Sequence, residues 1–174
     1  WDTSKVTKMT NMFFRAEAFN GDLSHWDTSK VLSMSGMFCW TFSFNGDLSR
    51  WDTSNVTDMR NMFSTATAFN GDLSRWDTSS VTTMYGMFRG ATAFNGDLSL
   101  WDTSNVTNMD GMFSDATAYT PVHPLSSRKS ESDALRAGWK AEADAQRVEW
   151  KAESDAQRAK WKAEADALRV VWKA

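Results

Sequence analysis

Apolar residues follow one pattern that recurs every 25 positions along the first two-thirds of the chain. The segment 51–75, WDTSNVTDMRNMFSTATAFNGDLSR, shows it in full: a Trp is followed at fixed offsets by Val, two Met, two Phe and a closing Leu. A fixed period of this length is typical of solenoids, in which each repeat forms one structural coil. The pattern therefore predicts a leucine-rich-repeat-like solenoid of five coils at 1–119. The coils begin at Trp1, Trp26, Trp51, Trp76 and Trp101.

Two kinds of apolar spacing occur within each coil. The segment 23–28, LSHWDT, has apolar residues at its first and fourth positions and Thr at its sixth, which predicts a short strand. The apolar residues that follow, between Val31 and Phe38, are three or four positions apart, which predicts a short α- or 3₁₀-helix over about 32–41. We therefore expect an α+β repeat protein with one short parallel strand and one short helix in each coil. The equivalent strands are expected at 48–53, 73–78 and 98–103.

Stacked coils would bury equivalent apolar side chains in columns. The two Met of each coil fit such a core, because the flexible thioether side chain fills gaps between large aromatic groups. This interpretation is preferred over a metal or cofactor role for the Met stripe. The predicted core residues are Trp26, Trp51, Trp76, Trp101, Met59, Met62, Phe63 and Phe69.

An aspartate follows each Trp, and these carboxylates would stack one above another. At a strand spacing of about 4.8 Å, neighbouring carboxylates repel by roughly 1 kcal/mol per pair even in water. The preferred explanation is an Asx-type turn, in which each Asp accepts a backbone N–H from the following Thr-Ser. The alternative is a row of Ca²⁺ ions, although no repeat has a calcium-binding β-roll or EF-hand spacing. We thus predict no cofactor and no metal, and the less favoured cation column would be Asp27, Asp52, Asp77 and Asp102.

The C-terminal part of the chain has a different period. After a Pro- and Ser-containing linker at 120–130, Trp recurs every 11 residues, and eleven residues make almost three whole helical turns. This hendecad repeat predicts a long helix over 131–174 with an Ala/Val face and a Trp face, and two apolar faces require two neighbours. We therefore expect it to form coiled-coil-like oligomer contacts. The predicted interface residues are Ala141, Ala145, Val148, Ala152, Ala156, Ala159, Trp139, Trp150, Trp161 and Trp172.

Composition and motifs argue against several classes of function. The net charge of −3 lacks the basic excess of a nucleic-acid-binding protein, and no apolar run approaches the roughly 20 residues of a membrane span. Cys39 is alone, so no internal disulfide can form. No catalytic triad, phosphate-binding loop or zinc spacing occurs, and we expect no enzyme activity. The chain starts inside a repeat at Trp1, so we expect that the native N-terminus, with any signal peptide, precedes it.

The motif W-D-T-S-N-V-T-x-M-x-x-M-F, followed by A-F-N-G-D-L-S-x-W, resembles the BspA-like leucine-rich-repeat surface proteins. The resemblance covers residues 1–119 and all five repeats, whereas the C-terminal segment lies outside it. It implies an extracellular or cell-surface location and a role in adhesion and assembly, and it carries over no catalytic residue.

The function expected from these features is that of a non-enzymatic structural surface protein. The solenoid would be a head for adhesion or lateral contacts, and the C-terminal helix would assemble copies into a homo-oligomer or filament. One alternative is an adaptor whose C-terminal helix docks onto a different protein's helical bundle. Another is a lipid-surface-binding helix that carries an adhesive head. The expected partners are the chain itself and other surface or matrix proteins.

Overall fold

The computed structural model describes residues 1–120 together with four helical residues, Ala156, Ala159, Lys160 and Lys162. Within 1–120, four 25-residue repeats and the fifth repeat from 101 to 120 lie on one another in sequence order, and equivalent residues of successive repeats are in contact. The rings of Trp26 and Trp51, for example, are stacked with centroids 6.4 Å apart. We number the repeats 1 to 5 from the N-terminus; repeat 3 is 51–75.

Parallel pairing between repeats is limited to single-residue bridges, and residues 1–120 contain no continuous strand. Next to each bridge, backbone hydrogen bonds join neighbouring repeats: Met34 N donates to Asp58 O at 3.0 Å, and Thr57 N donates to Leu32 O at 2.9 Å. A row of backbone bonds therefore runs along the stack beside the bridges. The bridges join Lys8 to Ser33, Ser33 to Asp58, Asp58 to Thr83, and Thr83 to Asn108.

A run of turns follows each bridge, and in repeat 3 it covers residues 60–65. Some of its amides close turns locally, as where Ser64 N donates to Asn61 O at 3.1 Å. The amides between them leave the repeat, as where Phe63 N donates to Met87 O in repeat 4 at 2.8 Å. An α-helix needs each successive N–H to bond within its own segment. A helix cannot form here because alternate donors bond the next repeat.

Left-handed backbone also interrupts this segment at two positions in each repeat. In repeat 3 these are Asn61, with φ 53°, and Thr65, with φ 58°. Asn and Gly adopt this region more readily than other residues, since Gly has no Cβ and Asn tolerates the conformation. The first left-handed position holds only these two types: Asn11, Gly36, Asn61, Gly86 and Gly111.

The predicted fold class, an α+β leucine-rich-repeat-like solenoid, is wrong. Residues 23–28 and their equivalents are built around a turn rather than a strand, and residues 1–120 contain no helix. The bridge at Ser33 and the turns at 35–40 lie where the short helix was expected. Apolar residues three or four apart reflect successive turns, each of which returns a side chain to the core. The described residues show no long C-terminal helix, and most of the linker and of 131–174 lies outside them.

The core of the stack consists of aromatic columns with Met, Val and Leu between them. One column contains the Trp that begins each repeat, and two others contain the two Phe positions, the second of which ends in Tyr119. Rings also stack within a repeat, with Phe63 and Phe69 at 4.0 Å. Because large aromatic side chains bury 150–250 Å² each, these columns supply much of the hydrophobic stabilisation.

Candidate functional site

The aspartates that follow Trp hold a local turn. Asp52 Oδ1 accepts the backbone N–H of Ser54 at 3.1 Å and its hydroxyl at 2.6 Å. Asp77 has the same arrangement with Ser79, at 3.1 and 2.7 Å. The prediction that backbone N–H groups hold Asp52 and Asp77 is therefore confirmed. Each carboxylate shapes the turn that brings the chain back to the core.

The cation alternative for these aspartates finds no geometric support in the described residues. No group of three or more His, Cys, Asp or Glu side chains is placed there to hold a metal ion. The Ser contacts of Asp27 match those of Asp52 and Asp77, and Asp102 accepts Ser104 N at 2.9 Å. The column thus repeats the same Asx-type turn in successive repeats.

The other repeated polar groups bond the backbone of other repeats. Trp51 Nε1 donates to Leu23 O at 3.1 Å, which ties the indole of repeat 3 to the backbone before it. Asn45 Oδ1 accepts Asn70 N at 2.8 Å, and Thr53 Oγ1 donates to Asp77 O at 2.9 Å. The Asn and Thr bonds join adjacent repeats and the indole bond joins repeat 3 to repeat 1, so these side chains link the stack instead of forming an open site.

The predicted core residues are all in the aromatic and Met columns. Trp26 is partly buried near the N-terminal end of the stack, and the others are buried: Trp51, Trp76, Trp101, Met59, Met62, Phe63 and Phe69. Of the predicted oligomer interface, only Ala156 and Ala159 are described, and both are helical and exposed. Its remaining members lie outside the described residues: Ala141, Ala145, Val148, Ala152, Trp139, Trp150, Trp161 and Trp172.

One exposed cluster was missed by the sequence analysis: Phe14 and Arg15 of repeat 1 with Trp40 and Phe42 of repeat 2. We call it the aromatic–arginine cluster. The guanidinium carbon of Arg15 lies 5.8 Å from the Phe14 ring centre and 5.5 Å from that of Trp40. The rings of Trp40 and Phe42 are tilted to each other, with centroids 5.8 Å apart. The signal that could have revealed it is the departure of repeats 1 and 2 from the small and polar residues found at these positions in later repeats.

Cys39 is buried beside this cluster. Burial raises the pKa of its thiol above the ordinary value, although a Ser64 hydrogen bond and the charge of Arg15 act in the opposite direction. A raised pKa disfavours the thiolate, which is the reactive form of cysteine. Burial and the raised pKa both disfavour reaction of this thiol.

Within the described part of the chain, no helix is both long and apolar enough to cross a membrane.

Comparison with protein families places this repeated architecture in a known group. Residues 1–78 and 43–134 match the family described as "Mycoplasma protein of unknown function, DUF285". The two matches overlap and together cover most of the 174 residues, so the chain belongs to this family. Comparisons with curated proteins and with solved structures give no match.

Proposed function

We propose that this protein is a non-enzymatic surface protein of the BspA-like type, located outside the cell or on its surface. Its stacked repeats form an adhesive head, and its C-terminal segment, 131–174, assembles copies into a homo-oligomer or filament. The head would also contact other surface or matrix proteins. Family membership and the resemblance of the repeat motif to surface proteins support the location.

The observation that carries the proposal is the structural use of the repeated polar side chains in residues 1–120. Asp52 shapes a turn, Asn45 bonds the next repeat, and the indole N–H of Trp51 bonds the end of repeat 1. An enzyme needs nucleophiles, acids or bases that converge on a space for substrate. Here the repeated groups instead hold a scaffold, which favours a structural role.

The assembly part of the proposal rests on the 11-residue Trp period. An exposed row of large aromatic side chains is costly in water, and burial against other copies removes it. Exposed, helical Ala156 and Ala159 are small residues, which are compatible with close approach of a second segment. The adaptor and lipid-binding alternatives would bury the same side chains against a different surface.

Light scattering on the full chain tests the proposed assembly. We expect the wild-type protein to form oligomers and the double variant Trp150→Ala/Trp161→Ala to become monomeric. The near-ultraviolet circular dichroism of the stacked aromatic columns should persist in the variant. Trp1→Ala is the matched control, because Trp1 is 96% exposed at the end of the stack, and its removal should leave the mass unchanged.

A wild-type chain that stays monomeric at high concentration would contradict self-assembly. The adaptor alternative would then be tested by capture of a helical-bundle partner. The lipid alternative would require the monomer to sediment with vesicles of anionic phospholipid and the double variant to remain in solution.

A further inference from the structure

The aromatic–arginine cluster is the largest concentration of exposed aromatic side chains in residues 1–120 outside the end of the stack. Trp40 is 40% exposed and Phe14 is 48% exposed. Stacking of the repeats does not require aromatic groups at these places. The positions equivalent to Phe14 and Trp40 hold Ser64 and Thr65 in repeat 3, Arg89 and Gly90 in repeat 4, and Ser114 and Asp115 in repeat 5.

Trp40 also occupies an unfavourable backbone conformation. Its φ of 63° lies in the left-handed region, where a bulky residue is an outlier. The same conformation is met in repeat 4 by Gly90, with φ 68°, for which it is unstrained. For an L-residue with a Cβ the cost is roughly 1–2 kcal/mol. The left-handed conformation also occurs at the equivalent Arg15, Thr65 and Asp115, so it belongs to the turn of every repeat and not to the cluster. The exposure of Trp40 and its contact with Arg15 are the observations that indicate a binding role.

Arg15 supplies the charge of the cluster. Its guanidinium lies near the rings of Phe14 and Trp40. A stacked guanidinium keeps its in-plane N–H donors at the edge, where they match the two oxygens of a carboxylate. The two ion pairs within residues 1–120, His25–Asp22 and Arg60–Asp58, do not involve Arg15.

We propose that the aromatic–arginine cluster binds a carboxylate-bearing sugar of a glycan, of the uronic or sialic acid type. The carboxylate would accept two hydrogen bonds from Arg15, and the C–H face of the pyranose ring would stack on the exposed aromatic surface of Trp40 and Phe14. The proposal deepens the adhesive role of the head and rests on it.

The size of the cluster favours a sugar over a folded protein. Stable protein interfaces bury about 800 Å² on each partner, whereas the cluster spans two repeats and gives way to small or polar residues in repeat 3. A pyranose ring needs only one aromatic face and a few directed hydrogen bonds. The single guanidinium selects an acidic sugar over a neutral one.

Isothermal titration calorimetry of the full chain with a glucuronic-acid-containing tetrasaccharide tests the proposal, with a neutral glucose tetrasaccharide as the matched ligand. We expect saturable binding of the acidic sugar and at least about tenfold weaker binding of the neutral one, where tenfold in Kd is about 1.4 kcal/mol. Trp40→Gly should abolish binding. It should also leave the melting temperature unchanged or higher, because Gly is unstrained at this φ.

Two further variants test whether a loss of binding comes from the cluster itself or from a change of charge or backbone conformation alone. Arg15→Lys keeps the charge but loses the planar pair of donors, and it should weaken binding of the acidic tetrasaccharide by about tenfold. Thr65→Gly changes the equivalent left-handed position in repeat 3, where there is no aromatic cluster, and it should bind like the wild type.

Equal affinity for the acidic and neutral sugars, or unchanged binding by Trp40→Gly, would overturn the proposal. The absence of saturable binding with either tetrasaccharide would overturn it as well, and so would binding of an aromatic peptide alone. These results are independent of the proposed assembly. The titration measures sugar binding, whereas light scattering on the wild-type and Trp150→Ala/Trp161→Ala chains measures oligomerisation.

Discussion

The side-chain oxygen Oδ1 of Asn61 lies where a Cβ atom on Gly86 would stand. Asn61 and Gly86 occupy equivalent left-handed positions in repeats 3 and 4, with φ of 53° and 59°. The same relationship joins Asn11 to Gly36 in repeats 1 and 2. An Asn at this position therefore requires Gly at the equivalent position of the next repeat, and this requirement restricts which repeats can be neighbours.

We expect Gly86→Ala to destabilise the stack through both backbone strain and overlap. Ala in the left-handed region costs roughly 1–2 kcal/mol, and overpacking against Asn61 adds about 1–3 kcal/mol. Chemical denaturation monitored by Trp fluorescence would measure the change. Gly111→Ala is the matched control, because its φ is 65° but its Cβ would meet only Ser114 Oγ, at an ordinary 3.4 Å. Equal losses in the two variants, or no recovery when Asn61→Gly is added to Gly86→Ala, would contradict the overlap.

Trp51→Ala should be among the most damaging single changes in the core. The side chain is fully buried, its ring stacks between Trp26 and Trp76, and its indole N–H donates to Leu23 O at 3.1 Å. Truncation of a buried Trp costs about 3–5 kcal/mol. Trp51→Phe should cost less, because it keeps a buried ring and the Leu23 carbonyl still accepts the Trp26 backbone N–H at 3.1 Å. Thermal melting of both variants would show whether Trp51→Ala loses more stability than Trp51→Phe. A Trp51→Ala protein as stable as Trp1→Ala would disprove the prediction.

The Asn column should depend on its oxygen atom. Asn70 Oδ1 accepts the backbone N–H of Asn95 at 2.9 Å, and Asn70 N donates to Asn45 Oδ1 at 2.8 Å. Asn70→Ala removes the acceptor and should cost about 0.5–1.5 kcal/mol. Asn70→Asp retains an oxygen at the same place, and we expect a smaller loss. Denaturant titrations would compare them. Greater damage from Asp than from Ala would show that the amide group has a role of its own.

The thiol of Cys39 should react slowly in the folded protein. Burial raises its pKa, which lowers the thiolate fraction at neutral pH, and its burial limits access by reagents. We expect labelling by iodoacetamide at pH 8 to be slow in the native state and fast in denaturant. Trp40→Gly is a useful comparison, because it alters the neighbouring surface. Rapid native-state labelling of the wild type would contradict the buried placement.

The carboxyl group of Asp2 should titrate below its ordinary range. The Ser4 hydroxyl lowers its pKa most, and the Ser4 backbone N–H lowers it further, with bonds of 2.6 and 3.0 Å. Since the folded pKa lies below the unfolded one, this interaction favours the folded state above the unfolded pKa. The contribution is lost as the pH falls through the folded pKa. Ser4→Ala should raise the Asp2 pKa, measured by carbon-detected NMR titration. An unchanged value would leave the hydroxyl without a role.

The sequence alone determined the period, the number of repeats and the residues of the core columns. This is possible because a repeat of constant length places equivalent side chains together in any regular stack, so a recurring Trp, Met or Phe identifies a shared buried position. It also determined the Asx turn, since the oxygen of Asp52 reaches the N–H of Ser54 over only two residues. Such local chemistry does not depend on the rest of the fold.

Only the tertiary structure decided how the segment after each bridge is folded. Apolar residues three or four apart fit both a helix and a series of turns. The Phe63 N–H donates to the Met87 carbonyl, 24 residues away, and this bond distinguishes the turns from a helix. Stacking likewise brings Arg15 to Trp40, and Asn61 to Gly86. Each partner lies in the next repeat, and its distance and orientation depend on how far the backbone turns between repeats, a quantity that the linear pattern does not contain.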